Sequence, residues 1–378
     1  MMNQAVNDGV ARDVVVMLAD DSTIRYAGAV SAVGGKSAAG ADVDRIFWLG
    51  SQTKSIVATA ALQLVDRGLV DLDASVSDIL PELATPQVLE GFDGDQPLLR
   101  PAQGSITLRM LLNHTSGLAY DMFSPEIAEY MRINQIPNII ECRNASLETP
   151  LLFDPGTRWT YGLGVDWAGK LVERLSGMPL DQYLQTNVFE PVGMTRTGFA
   201  PSDTAEAMPM TARGPDGQLT EIPFALPAEP EFFMGGGGLF STARDFLAFQ
   251  QVFLRKGVTA AGQRLISEES YEVMITNQIG DLEVTPMPVG VPSLTHPVNL
   301  MPESVKKWSL GFLLNVSDTE RGRHADSYGW AGLANSYFWN DPASQMAGIV
   351  VTQALPFADP QIMGFAERVE SAAYAQWD

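Results

Sequence analysis

Two apolar runs open the chain, DVVVMLA at 13–19 and IRYAGAVSAV at 24–33, separated by the polar triplet Asp20-Asp21-Ser22. Short β-branched runs around a polar turn predict a hairpin. The next pattern is different. Across KSIVATAALQLVDRG, the residues Ile56, Val57, Ala60, Ala61, Leu64 and Val65 recur at helical spacing, and Gly68 is a natural stop. Residues 72–104 are rich in Asp, Pro and Gly and read as irregular. A short helix over 106–112 should run into the turn Asn113–Gly117, followed by helices over 124–135 and 164–176, the latter ended by Gly177. Between those two helices lies the turn Asp154-Pro155-Gly156, and Pro179 suits the first position of another short helix to 187. Polar, Pro-rich residues 201–230 read as a long connection. Gly235–Gly238 then precede a helix with Ser241 or Thr242 as its cap. Strand-like stretches follow at 308–316, 335–340 and 346–353, and an amphipathic helix at 360–376 closes the chain.

Strands and one helix, then helices, then strands and a last helix: this order predicts an α/β fold. An antiparallel sheet flanked by helices would carry a mainly helical insertion. The expected division is 1–75 with 225–378 as the α/β domain and 76–224 as the inserted domain.

Composition removes several function classes. A net charge of −21 opposes nucleic-acid binding, which needs a basic stripe. No segment approaches 18 uninterrupted apolar residues, so no membrane span is expected. The start MMNQAVNDGVARD has neither the basic opening nor the apolar run of a secretory leader, which makes a cytoplasmic location the expectation. The single cysteine, Cys142, excludes an intramolecular disulfide and reads as an idle thiol. Three scattered histidines, His114, His296 and His324, are a poor ligand supply, so neither metal nor cofactor is expected.

Against that background, Ser51-Gln52-Thr53-Lys54 stands out. A serine three residues before a lysine on a helix puts both side chains on one face. Burial of that face lowers the lysine pKa, so the amine can take the hydroxyl proton and activate a nucleophile that is weak on its own. Tyr161, in Arg158-Trp159-Thr160-Tyr161-Gly162 after a Pro-Gly turn, is a second candidate, a phenol able to relay a proton. The third is Gly329-Trp330-Ala331-Gly332-Leu333, where a Gly-bearing strand admits a substrate close to the backbone and offers N–H groups to an oxyanion. Taken singly, each has a bland alternative: a chance tetrapeptide, a packed tyrosine, an edge turn plugged by an indole.

Together and in this order, they resemble the serine β-lactamase and penicillin-binding-protein superfamily, and within it class C β-lactamases and family VIII carboxylesterases. LLNHTSGL at 111–118, the PGTRWTYG turn, GGGGLFSTARDF and GWAGLANSYFWNDP carry the resemblance, which runs from about residue 10 to the end. It implies a class C β-lactamase-like fold, Ser51 as acylated nucleophile, Lys54 as base, Tyr161 as proton relay, and the Ser51 and Leu333 N–H groups as oxyanion donors. Two positions depart from the lactamase pattern. Leu163 stands where class C enzymes have the asparagine of Tyr-x-Asn, and Trp330-Ala331-Gly332 replaces Lys-Thr/Ser-Gly. A site without that cation and amide favours a neutral acyl group, so the expectation is a serine carboxylesterase acting on small or medium neutral esters. Leu163, Trp330, Gly332 and Leu333 would meet the substrate, and Met122, Phe123, Phe232, Phe233 and Met234 would line an acyl pocket or pack as core. Three alternatives stay open: an acyltransferase on the same acyl-enzyme, a β-lactamase or D-aminopeptidase-type amidase, and a silent binding protein. His114 is expected to be structural, and residues 201–230 and 279–305 to shape the entrance.

Overall fold

A computed structural model describes residues 1–33, 36–39 and 42–377. The predicted hairpin is present as Asp13–Ala19 and Ile24–Val33, paired antiparallel. Its first strand also pairs with Met346–Val351, with Val15 opposite Val351 and Ala19 opposite Ala347. The two ends of the chain therefore share one sheet. Among the described residues that sheet has eight strands, in the order 306–308, 313–315, 328–332, 336–341, 346–351, 13–19, 24–33, 36–39. It is antiparallel throughout. Both faces are covered by helices: Phe365 and Val369 of the terminal helix Pro360–Tyr374 pack with Val14, Val16 and Val350, while Phe246 and Phe249 of Ala243–Leu254 join the larger core. The predicted antiparallel α/β architecture is observed.

The helix after Ser51 is buried almost all round, Ile56, Ala60 and Leu64 included, which is why its residues are small or apolar on every side. Capping follows local chemistry. Thr107, Ser124 and Thr242 each accept an N–H bond at a helix start, and Gly177 closes Gly164–Ser176 in the left-handed region at φ 69°.

Three expectations need correction. Residues 87–101, read as irregular, form a hairpin, Gln87–Asp93 with Gln96–Pro101. Its two-residue turn, Gly94-Asp95, puts Gly94 at φ 60°, a Gly-first hairpin signal hidden among prolines. The stretch 308–316 is not one strand. The chain turns at 309–312, and Lys306–Trp308 pairs back on Leu313–Asn315. Finally, a short strand, Phe240–Thr242, intervenes between the glycine run and its helix, and pairs with Ile46–Trp48. No helix among the described residues is long and apolar enough to cross a membrane.

Candidate active site

Strand Ile46–Trp48 delivers the chain into a tight turn, Gly50–Gln52, and the helix Thr53–Asp66 follows at once. Ser51 thus sits in the turn and Lys54 in the first helical turn, with Ser51 Oγ 3.3 Å from Lys54 Nζ. The turn requires Gly50 twice over. Its φ is 52°, and a Cβ there would lie 2.9 Å from the Leu333 backbone nitrogen. Across from it, a Cβ on Gly332 would fall 2.3 Å from the Leu49 carbonyl oxygen. The two glycines let strand Tyr328–Gly332 lie directly against the turn that carries Ser51, with the Leu333 nitrogen next to Gly50.

Lys54 is 1% exposed and fully partnered. Its amine donates to the Gly236 carbonyl at 2.6 Å and to the Tyr120 hydroxyl at 3.1 Å. Tyr120 in turn donates to Asp166 Oδ2 at 2.6 Å, and the Gly236 N–H donates to Asp166 Oδ1 at 2.8 Å. A Cβ on Gly236 would come within 2.2 Å of the Tyr120 hydroxyl, so only glycine closes this ring of contacts. Burial pushes the Lys54 ammonium down to about 7, against the pull of the Asp166 carboxylate, which raises it. The Asp166 carboxyl is itself held up by burial, opposed by Lys54. In its neutral form the lysine keeps two N–H groups, which match Gly236 and Tyr120, and its lone pair is left for the Ser51 hydroxyl.

Tyr161 approaches from the other side. Its ring lies 4.7 Å from Lys54 Nζ, and burial holds its pKa above the ordinary phenol range, with the Ser51 and Trp330 side chains pulling the other way. The Trp330 indole N–H donates to the Tyr161 oxygen at 2.8 Å.

The candidates named from sequence therefore separate. Ser51, Lys54 and Tyr161 converge, and Leu333 lines the small pocket, about 30 Å³, in front of Ser51. Met122, Phe123 and Met234 also line it. Trp330, Gly332 and Leu163 do not: Trp330 sets Tyr161, Gly332 permits close backbone approach, and Leu163 is packed in the core. Phe233 faces a different, larger cavity, and the Phe232 ring lies under the Lys170 amine. His114 is buried between the Tyr161 and Trp308 rings, and its Nδ1 accepts the Gly162 N–H at 3.4 Å. Burial keeps that imidazole neutral. Within residues 279–305, the Gly290 N–H donates at 2.9 Å to the carbonyl of Met122, itself a residue of the pocket wall, and no residue of that segment lines the pocket.

Sequence reasoning missed Tyr120, Asp166 and Gly236. One signal was available for Asp166, a carboxylate within the apolar run Gly164-Val165-Asp166-Trp167-Ala168.

Comparison with known proteins identifies the family. A family model described as Beta-lactamase matches residues 2–372. Over 351 residues the chain is 34% identical to a monacolin J acid methylbutanoyltransferase of Aspergillus terreus, covering 89% of this chain and 83% of the relative. It is 32% identical over 338 residues to a lovastatin esterase of Penicillium rubens, covering 85% and 82%. Among solved structures, unliganded simvastatin synthase from Aspergillus terreus superposes with a TM-score of 0.84 at 29% identity, over 100% of this chain and 97% of that one. EstCE1, a hydrolase with promiscuous acyltransferase activity, gives 0.74 at 20% identity over 99% and 96%, a likeness of fold.

Proposed function

The chain belongs to the beta-lactamase family and is a serine acyl-transfer enzyme, and from that premise we propose that it is a carboxylesterase for neutral esters with small to medium acyl groups. One observation carries the reading: a buried lysine, poised at about 7, lies 3.3 Å from the hydroxyl of Ser51. In the proposed cycle neutral Lys54 takes the Ser51 proton as Oγ attacks the ester carbonyl. The N–H groups of Ser51 and Leu333 receive the oxyanion, each such donor being worth about 10²–10³ in rate. Collapse expels the alcohol, protonated through Tyr161 and Lys54 acting as a pair. Water then attacks the acyl-enzyme, gives its proton to the same pair, and Ser51 is released with its hydroxyl restored.

Specificity is argued from the lining. The residues around the Ser51 pocket are apolar or glycine apart from Ser51 and Tyr120, with no Lys or Arg among them. Such a pocket suits a short uncharged acyl group and offers nothing to a β-lactam carboxylate. A second reading, acyl transfer to an alcohol, draws on the methylbutanoyltransferase relatives.

Wild type and Ser51→Ala should be assayed in parallel on p-nitrophenyl acetate, p-nitrophenyl butyrate and a chromogenic cephalosporin. Ester turnover lost in the variant, with little lactam opening, is expected. Rapid cephalosporin hydrolysis would overturn the esterase reading. Adding a competing alcohol and resolving acid from transferred ester by mass spectrometry separates hydrolase from transferase.

A further inference from the structure

Trp48 stands three residues before Ser51, at the end of strand Ile46–Trp48, and is 3% exposed. It belongs to the walls of two spaces. One is the pocket of about 30 Å³ in front of Ser51. The other is a cavity of about 1080 Å³ on the side of Met208, Met210 and Phe224. Among the described residues Trp48 alone lines both. The indole itself lies between them. Its N–H donates at 2.6 Å to the carbonyl of Gly237, a residue of the Ser51 pocket. Its ring packs on the ring of Phe224, a residue of the large cavity, with centroids 4.6 Å apart. The backbone is held as well, the Trp48 N–H donating to Gln353 at 3.1 Å.

In the proposed cycle the acyl carbon is bonded to Ser51, so the chain attached to it starts in the small pocket. Tyr161, which protonates the departing alcohol, is not part of that lining. An acyl chain that extends toward Trp48 meets the indole after a few carbons. A packed ring fixed by a hydrogen bond does not give way without cost. Behind it lies room of the size that encloses a whole drug-sized molecule, roughly 300–1,000 Å³. The lining there is mixed, Gln182 and Gln185 standing with Ile46, Met208 and Phe224. The surface directly behind the indole, the Phe224 ring, is apolar.

We infer that Trp48 is the residue that sets the acyl-chain limit of the Ser51 site. Its indole is a partition: short chains such as acetyl and butanoyl fit in front of it, and an octanoyl chain is refused although the space to hold one lies just beyond. The inference rests on the esterase reading and narrows its substrate class to esters of short-chain acids.

The p-nitrophenyl esters of acetate, butyrate and octanoate are compared by kcat/KM and by intact mass of the acylated protein, since acylation of Ser51 is common to hydrolysis and transfer. In wild type, octanoate should fall at least about tenfold below butyrate, the discrimination that a crowded apolar pocket delivers. Trp48→Ala joins the two spaces and should raise the octanoate-to-butyrate ratio at least about tenfold. That ratio does not depend on how much of the protein is active. Trp48→Leu is a milder opening for the case that Trp48→Ala fails to fold, and should move the ratio the same way by less. Trp48→Phe loses the bond to Gly237 but keeps a ring in the wall, so it should retain the wild-type ratio. Met234→Ala widens the Ser51 pocket, which Met234 lines, without reaching the large cavity, and should leave octanoate poor. The inference is overturned if wild type takes octanoate as well as butyrate, or if the opened Trp48 variants keep the wild-type ratio. It fails equally if Met234→Ala raises the ratio as far as Trp48→Ala does. Wild type acylated by none of the three esters defeats the esterase reading itself, and the inference with it.

Discussion

Asp166 does not touch Ser51, yet its charge governs how the proposed base behaves. A buried carboxylate joined to Lys54 through the Tyr120 hydroxyl favours the ammonium form, while burial favours the amine. The balance falls at about 7. With Lys54 as base, kcat/KM should rise with pH as the ammonium loses its proton near that value. Asp166→Asn removes the charge that holds the lysine pKa up, so the acid limb should move to lower pH. Tyr120→Phe keeps the carboxylate but deletes the bridge. It should lower kcat about tenfold with KM little changed, the cost of one buried hydrogen bond to a charged group. A pH–rate profile of both variants on p-nitrophenyl butyrate decides the matter. A limb that stays in place in Asp166→Asn would reduce that residue to a packing role.

At the level of elements, the site depends on a strand end lying against a turn. Gly332→Ala would drive a methyl group against the Leu49 carbonyl and the Ser336 hydroxyl, at 2.3 and 2.5 Å. Backbone has to move, and the Leu333 N–H moves with it. The expected result is a stability loss of about 2 kcal/mol, typical of overpacking, with a fall in kcat of about 10²-fold, as for one oxyanion donor. Thermal melting and steady-state kinetics read the two effects separately. Full activity in Gly332→Ala would remove Leu333 from the oxyanion proposal. This junction also marks what was legible in the sequence. Ser51, Lys54 and Tyr161 were readable because spacing along one helix and a turn-then-helix context are local. The caps at Thr242 and Gly177 were readable for the same reason. Tyr120, Asp166 and Gly236 were not, since only packing brings a turn, a helix and a glycine loop onto one amine. Trp330 was expected to face substrate, but its indole N–H faces Tyr161, a direction that no strand pattern encodes. The hairpin 87–101 was lost to its prolines, although its Gly-Asp turn was in plain view.

On the scale of the whole molecule, the proposed division sets Ser51, Lys54, Gly236 and Leu333 on the sheet-bearing part and Tyr120, Tyr161 and Asp166 on the inserted part. The reaction would then take place at their junction, under a field set by the entire chain. That field is negative, with 45 acidic residues against 24 basic ones. No Lys or Arg lines the Ser51 pocket to offset it. An anionic ester must therefore approach against repulsion that is long-ranged at low salt and screened at high salt, the Debye length falling from about 30 Å at 0.01 M to about 10 Å at 0.1 M. A neutral ester meets no such barrier. The p-nitrophenyl monoester of succinic acid should consequently show a kcat/KM that rises as sodium chloride increases from about 0.01 to about 0.3 M, while p-nitrophenyl butyrate stays level over the same range. Steady-state rates across that series are the measurement. A succinate ester indifferent to salt would mean that a local cation, outside the pocket lining, overrides the global charge. The preference for neutral acyl groups would then need an origin other than electrostatics.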